Sequence, residues 1–261
     1  LANGASFENG EAWGVSLAWS GNSRHLIERT PIGRTSIGAG ELLLAGEVIL
    51  GKEETYAAPK VIAVYSSEGL DGASHRLHVQ QRSRANHPTN VRPRPVTLNV
   101  WEAVYFDHNL EKLTELAQVA GEIGVERFVL DDGWFGSRRD DFSGLGDWAV
   151  SPDVWPNGLS PLIEAVKANG MEFGLWFEGE MVNQDSDLYR EHPDWILQAG
   201  GRVPPTFRNQ QVLDLDHEGA FNHVLSQVDA ILSEYDVAYI KWDHNRVLTE
   251  AAHFGRPAVR K

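Results

Sequence analysis

SPLIEAVKANGMEFGLWFEGEMV, residues 160–182, sets a helix directly before a strand. Ser160 suits an N-cap. Pro161 fits the first helical position, where its missing N–H is no loss, and Gly170 fits the left-handed position just past a helix end. Met171–Val182 follows with the apolar and aromatic content of a buried strand, yet it carries Glu178 and Glu180 near its end. A helix feeding at once into a buried strand is half of a parallel β/α unit.

The unit recurs on both sides. Upstream, VTLNVWEAVYF (96–106) reads as a strand, and NLEKLTELAQVAGEIG (109–124) as a helix with Leu110, Leu113, Leu116, Ala117 and Ala120 on one stripe. ERFVLDDGWF (126–135) is a second strand. Downstream, QVLDLD (211–216) is a fourth strand and VAYIKWD (237–243) a fifth. Between them, EGAFNHVLSQVDAILSEY (218–235) has Phe221, Val224, Leu225, Val228, Ile231, Leu232 and Tyr235 at helical spacing. Both a doubly wound sheet and a (β/α)8 barrel accommodate this order. The strand ends favour the barrel: Trp101 and Glu102, Asp131, Asp132 and Trp134, Glu178 and Glu180, Asp214 and Asp216, Lys241 and Asp243. Barrel enzymes gather their chemistry at the C-terminal ends of many strands, whereas open sheets use one switch point, usually with a Gly-rich phosphate loop. Neither G-x-G-x-x-G nor G-x-x-x-x-G-K-[ST] occurs here. The expected fold class is α/β: an incomplete (β/α)8 TIM barrel of about five strands over residues 95–261.

Residues 1–94 have another rhythm. AWGVSLAWSGN (12–22), ELLLAGEVILG (41–51) and KVIAVYSSEGLDG (60–72, closed by Gly69 and Gly72) read as strands, and SHRLHVQQRSRANH (74–87) as a helix. Short strands with turn signals suggest part of a β-sandwich. RPRPVTLNV (92–100) reads as a linker into the first barrel strand, since each proline disfavours helix before it.

Period-two alternation sorts the last strand. Val237, Tyr239, Lys241, Asp243 and Asn245 share one face, and Ala238, Ile240, Trp242 and His244 the other. The Lys241 ammonium thus shares a face with the Asp243 carboxylate, and an adjacent cation keeps an aspartate ionised. Such a carboxylate can attack an anomeric carbon, act as a base or bind a hydroxyl. The plain alternative is a Lys–Asp pair capping a strand. Five acid-bearing strand ends weigh against it, because acids crowded on one rim repel each other. Asp131 and Asp132 point to opposite sides of an ideal strand and reach one ligand only where Gly133 breaks it; neighbouring sugar hydroxyls suit two such acceptors. The alternative there is an Asx turn.

The formal net charge of −14 excludes nucleic acid or an anionic membrane surface as the main partner. ELLLAGEVILG is too short and too acidic to span a bilayer, and no charged-then-apolar leader opens the chain. There is no cysteine, hence no disulfide or thiolate site, which fits a reducing compartment. The ten histidines show no metal-binding spacing, so no metal or other cofactor is expected. His217, His223 and His253 sit in helical contexts and read as surface residues, and His244 as a packing residue. The first residue is leucine and the last strand lies close to Lys261, so a piece of a longer protein is expected.

NVWEAVYFD, FVLDDGWFGSRRDD, LGDWAVSPDVWPNGL, GLWFEGEMVNQDSDLYREHPDW, RNQQVLDL and YIKWDHNR, in this order, resemble consecutive blocks of the α-galactosidases of glycoside hydrolase family 36. The resemblance runs from about Ala12 to Arg246. It implies a β-sandwich domain before the catalytic barrel, and retaining hydrolysis of terminal α-galactosides such as melibiose or raffinose. Asp243 takes the place of the nucleophile and Lys241 of a sugar contact. Asp131 and Asp132 hold galactose hydroxyls, Trp101 and Arg208 line the pocket, and Asn245 faces the 2-hydroxyl. Asp147 and Trp148 are further candidates, on a loop that in some members reaches a neighbouring subunit. A cytoplasmic homo-oligomer, such as a tetramer, is implied. Gly179 stands where the family usually has proline, which suggests a looser strand end, and His244 where methionine is common. The family's general acid/base, an aspartate on a later strand, is absent, so these residues by themselves are expected to be inactive. Transglycosylation of the raffinose- and stachyose-synthase kind, and a non-catalytic galactose-binding half-barrel, are the alternatives.

Overall fold

The computed structural model describes residues 1–2, 4–43, 48–84, 91–248, 252 and 255. The chain forms two compact units, Leu1–Arg94 and Pro95–Pro257.

In the first unit, β1 (Ala12–Leu17) pairs antiparallel with β4 (Val61–Ser66), and β2 (Ser23–Arg29) with β3 (Thr35–Glu41). The β2–β3 hairpin turns at Gly33, whose φ of 81° is the left-handed conformation glycine tolerates. This hairpin lies in a stretch for which no strand was expected: Gly38 and Gly40 belong to β3, and Gly40 pairs with Arg24. Of the strand expected over 41–51, only Glu41 is in a strand among the described residues, as the end of β3; residues 42–43 and 48–51 are irregular, and residues 44–47 lie outside the described part. Helix α1 (Gly69–Arg82) starts earlier than expected, because Gly69 and Gly72 open it rather than close the strand. Gly69 has φ 66°, and a Cβ there would lie 2.4 Å from the Phe7 carbonyl oxygen. Residues 85–87 of the expected helix, and His253, also lie outside the described part.

In the second unit, β5 (Thr97–Asn99), β6 (Arg127–Leu130), β7 (Glu172–Phe177) and β10 (Tyr239–Trp242) form one parallel sheet in the order β10-β7-β6-β5. Neighbours in space follow chain order, as in a singly wound barrel and not in a sheet with a switch point. The connections are α2 (Trp101–Val104) with α3 (Leu110–Glu122), then α4 (Ser160–Ala168), then a longer excursion ending in α6 (Glu218–Glu234). That excursion contains β8 (Met181–Asn183), α5 (Asp187–Glu191) and β9 (Gln210–Val212).

Several sequence expectations shift here. The expected fourth barrel strand, QVLDLD, is not one: β9 pairs antiparallel with β8 in a separate ribbon, while the expected fifth forms as β10, which leaves four parallel strands among the described residues. The strand read over 171–182 is two, broken at Glu178–Glu180. The first strand ends at Asn99, because the Asn99 side chain accepts the Trp101 N–H at 2.8 Å and starts a helical turn. Ser160 is the first residue of α4 rather than its cap; Leu159 precedes it already in helical geometry. Asn109 does cap α3, accepting the Lys112 N–H at 3.1 Å.

The core sits between the sheet and its helices. All four residues of β6 are buried, as a strand covered on both faces requires. Leu113, Ala117 and Ala120 of α3 are buried as the stripe indicated, whereas Leu110 is exposed. On α6 only Ala220, Val224 and Ile231 are buried; Phe221, Leu225 and Leu232 are exposed. Trp134, Phe135, Trp148, Trp176 and Phe177 form an aromatic centre, tied by a hydrogen bond from the Trp134 indole to the Trp176 carbonyl at 2.9 Å. Gly179 is tightly packed rather than loose: a Cβ there would lie 2.6 Å from the Trp242 ring and 2.9 Å from Val224.

Candidate active site

Parallel register explains which side chains meet. Tyr239, Gly174, Val129 and Asn99 occupy one row across the four strands. One step up, Lys241 lies beside Trp176. Asn99, Asp131, Trp176, Glu178, Lys241 and Asp243 therefore share the parity of one sheet face at its C-terminal edge.

The Lys241 ammonium does not pair with Asp243. It crosses β7 and lies 2.7 Å from Asp131 Oδ2, an oxygen that also accepts the Asn99 amide. Asp131 Oδ1 accepts the N–H of Asp132 at 2.9 Å. The chain breaks at Gly133, with φ 110°, where a Cβ would press on Phe106 and His108. Asp132 thereby turns into a different environment, a buried fork with Arg138. Arg138 Nη2 lies 2.8 Å from Oδ2 and Nε 3.0 Å from Oδ1. Arg138 itself is 1% exposed and also donates to Asn183 Oδ1 and the Ser143 carbonyl. Burial raises the Asp132 pKa, and the guanidinium opposes that rise only in part. The adjacent aspartates are thus held by separate cations, one from β10 and one from their own loop.

Asp243 caps the end of β10. Burial pulls its pKa up, but hydrogen bonds outweigh this and hold the carboxyl below the usual range: first the Trp176 indole N–H, then the Asn245 side chain and the His244 N–H, with the Lys241 charge behind them. The indole lies 3.0 Å from Oδ2 and the His244 N–H 2.9 Å from Oδ1. The lysine expected to hold Asp243 ionised is the smallest of these causes, because Asp131 engages it. On the opposite face, Trp242 and His244 both bond Glu180, at 3.0 Å each, as their parity placed them.

Arg208 Nη1 donates to Asn245 Oδ1 at 3.0 Å, and Arg208 and Asn209 both have positive φ. Trp101 is half-buried on α2, edge-on to Tyr105 and Phe106. Asp147 and Trp148 make contacts within the scaffold. The Asp147 carboxylate accepts the Asp187 and Leu188 N–H groups, both at 3.0 Å, at the start of α5. Trp148 is 1% exposed within the aromatic centre. His217 and His223 are half-buried against Trp195 rather than on the surface, and His217 also caps α6. Asn99, Arg138 and Trp176 bond the aspartates at the strand ends but were not singled out from the sequence, whereas Glu178 was, as a strand-end acid; period two along Glu172–Glu178 could have signalled Trp176, and nothing local signalled Arg138. Among the described residues no group of three or more metal-ligating side chains exists.

His108 is buried below Gly133, and its pKa falls to about 4, first through burial and then through the Arg139 guanidinium, with Asp131 opposing. The imidazole stays neutral in the fold while the unfolded chain protonates near 6.5. The unfolded state therefore binds more protons, and stability falls as pH drops from 6.5 towards 4, by about 3 kcal/mol over the whole window. Urea unfolding at pH 7 and at pH 4.5 checks this: His108→Leu flattens the wild-type decline, and an equal decline in both proteins removes His108 as its cause.

The Melibiase family model matches residues 55–261, and that of the glycosyl hydrolase family 36 N-terminal domain matches residues 1–51. An α-galactosidase of Escherichia coli is 46% identical over 256 residues, 98% of this chain and 36% of that protein. α-Galactosidase AgaA of Geobacillus stearothermophilus is 40% identical over 262 residues, all of this chain and 36% of that protein. The crystal structure of AgaB from the same organism superposes with a TM-score of 0.90 at 40% identity, covering 100% of this chain and 36% of that one. A variant of AgaA in complex with raffinose superposes equally well, at 40% identity over 98% of this chain and 36% of that one. The chain spans about a third of the length of these relatives, and its parallel sheet is part of a TIM barrel. The matched families, the order of the strands and the carboxylates at their ends converge: this chain belongs to the melibiases of glycoside hydrolase family 36.

Proposed function

We propose that the full-length protein is a retaining α-galactosidase in which Asp243 is the nucleophile. One observation carries the reading: a carboxylate at the end of a barrel strand is kept ionised by the Trp176 indole, the Asn245 side chain and the His244 N–H, beside two aspartates already fixed by Lys241 and Arg138. An ionised carboxylate held by neutral donors keeps its nucleophilicity, and the fixed aspartates offer acceptors to vicinal hydroxyls.

In the first step an Asp243 oxygen attacks the anomeric carbon, forming a glycosyl–aspartate ester as the bond to the leaving oxygen breaks. A general acid protonates that oxygen. In the second step the same group, now a base, takes a proton from water, which attacks the anomeric carbon and frees Asp243. Retaining enzymes place that second carboxyl about 5 Å from the nucleophile. In this family it comes from a later strand.

Structures of AgaA variants hold raffinose and stachyose, which supports α-galactosyl oligosaccharides as the substrate class. A homo-oligomer in the cytoplasm is part of the proposal; the absence of cysteine supports the reducing compartment, and no described helix is long and apolar enough to cross a membrane. The relatives are α-galactosidases, so no observation favours the transglycosylase or binding-module alternatives. Proton NMR of fresh aryl α-galactoside digests tests the reading: α-galactose appears first and then mutarotates. If β-galactose appears first, the double displacement is wrong.

A further inference from the structure

Glu178 is a buried carboxylate that the scheme above does not use. It stands at the end of β7, is 1% exposed and, among the described residues, has no cation in salt-bridge range. Its two oxygens face two different segments. Oε1 accepts the Asn245 N–H at 2.5 Å, and Oε2 accepts the Gln210 side-chain amide at 3.1 Å. Gln210 is 2% exposed and lies two residues from Arg208. Arg208 donates back to Asn245 Oδ1 at 3.0 Å. These three hydrogen bonds and the backbone from Arg208 to Gln210 close a ring. The ring fixes the segment after the nucleophile against the segment that carries Arg208, whose backbone is in the left-handed region at residues 208 and 209.

Resting on the reading of Asp243 as nucleophile, we propose that Glu178 is a positioning residue: its carboxylate spaces Asn245 from Arg208 and so aligns two sugar-facing groups with Asp243. A buried ion without a counter-ion is costly. Packing alone is served better by an apolar side chain, so the charge points to a task. Both arms use it as an acceptor, and a carboxylate accepts at both oxygens while a carboxamide accepts at one. Hydrogen bonds near the reacting carbon strengthen in an oxocarbenium-like transition state. Misplacing them lowers kcat more than it raises KM.

The charges that act most on Glu178 are Asp243 beyond β10 and Asp132 beyond β6, both acids, while the Arg208 guanidinium sits across the ring on Asn245. Burial raises the Glu178 pKa most, Asn245 opposes it, and the two aspartates raise it further. The Asp243 pKa is lowered and the Asp132 pKa raised, so as pH falls Glu178 takes up its proton before Asp243 and, with Asp132, shapes the acid limb of activity.

Glu178→Gln in the full-length protein tests this. The isosteric amide keeps one acceptor and removes both the charge and the titration. Expected are a 10- to 100-fold loss of kcat with KM changed less than threefold, a melting temperature equal to or above wild type, and an acid limb displaced to lower pH. A second variant, Gln210→Met, leaves Glu178 charged and cuts only the arm towards Arg208; it lowers kcat several-fold. Wild-type kcat and an unmoved acid limb in Glu178→Gln overturn the proposal. So does a lowered melting temperature with unchanged kinetics, which marks Glu178 as structural only. Asp243→Gly, assayed in parallel, separates the two readings: if it stays active the nucleophile assignment fails, and if it is dead while Glu178→Gln is normal only the positioning role fails.

Discussion

Asp243→Gly in the full-length protein lowers turnover of an aryl α-galactoside by at least about 10³-fold, as removal of a covalent nucleophile does in enzymes whose catalytic groups act as a unit. The fold survives, because Asp243 is only partly buried at a strand end and belongs to neither apolar cluster. The side chain leaves a space between the Trp176 indole and the His244 N–H, donors that had held an anion. Azide fits that description. It attacks the anomeric carbon from the vacated side and displaces the leaving group, giving β-galactosyl azide. The measurements are kcat/KM with and without azide and the anomeric configuration of the product. Near wild-type turnover without azide, from a protein with a normal melting temperature, refutes the assignment.

Arg138→Met has the second large effect, on stability. Arg138 and Asp132 are both buried, and the guanidinium meets the carboxylate through two nitrogens while also bonding Asn183. Removing one partner leaves an uncompensated carboxylate, at a cost of about 3–5 kcal/mol. The sign of the pH dependence follows. Without the guanidinium, burial raises the folded-state pKa of Asp132 further above its unfolded value, so the folded state binds the proton more tightly. Stability then falls as pH rises from the ordinary carboxylate range, and the defect is smallest in acid. Denaturant unfolding of wild type and variant at pH 4 and pH 7 measures it. The double variant Arg138→Met, Asp132→Leu regains most of the lost stability and no galactoside turnover. A single variant as stable as wild type at pH 7 shows that the pair is not what holds the loop.

Much of the barrel was legible because burial on both faces leaves an unmistakable mark. RFVL and EFGLWF are near-continuous apolar runs that only a covered strand can carry. QVLDLD misled because a short apolar run reads the same in a barrel strand and in the β8–β9 ribbon; only its partner tells them apart. The exposed half of α6 misled because helical spacing identifies an apolar stripe but not what covers it. In the site, period two placed Lys241, Asp243 and Asn245 on one face. It could not choose the partner of Lys241, because Asp131 lies 110 residues away in sequence and on the far side of β7.

The amino-acid order by itself placed Asp131 and Asp132 at the end of β6, Glu178 at the end of β7 and Lys241 and Asp243 at the end of β10, since that depends only on local periodicity and on the glycines that break it. It supplied the aspartates, the lysine and the block order that marks the family. The tertiary structure decided how the charges are shared out. Stacking β6, β7 and β10 in register brings Trp176 to Asp243, sends Lys241 to Asp131 and leaves Asp132 to Arg138. The physical reason is range: a hydrogen bond acts within about 3 Å, and only folding brings groups from distant strands that close.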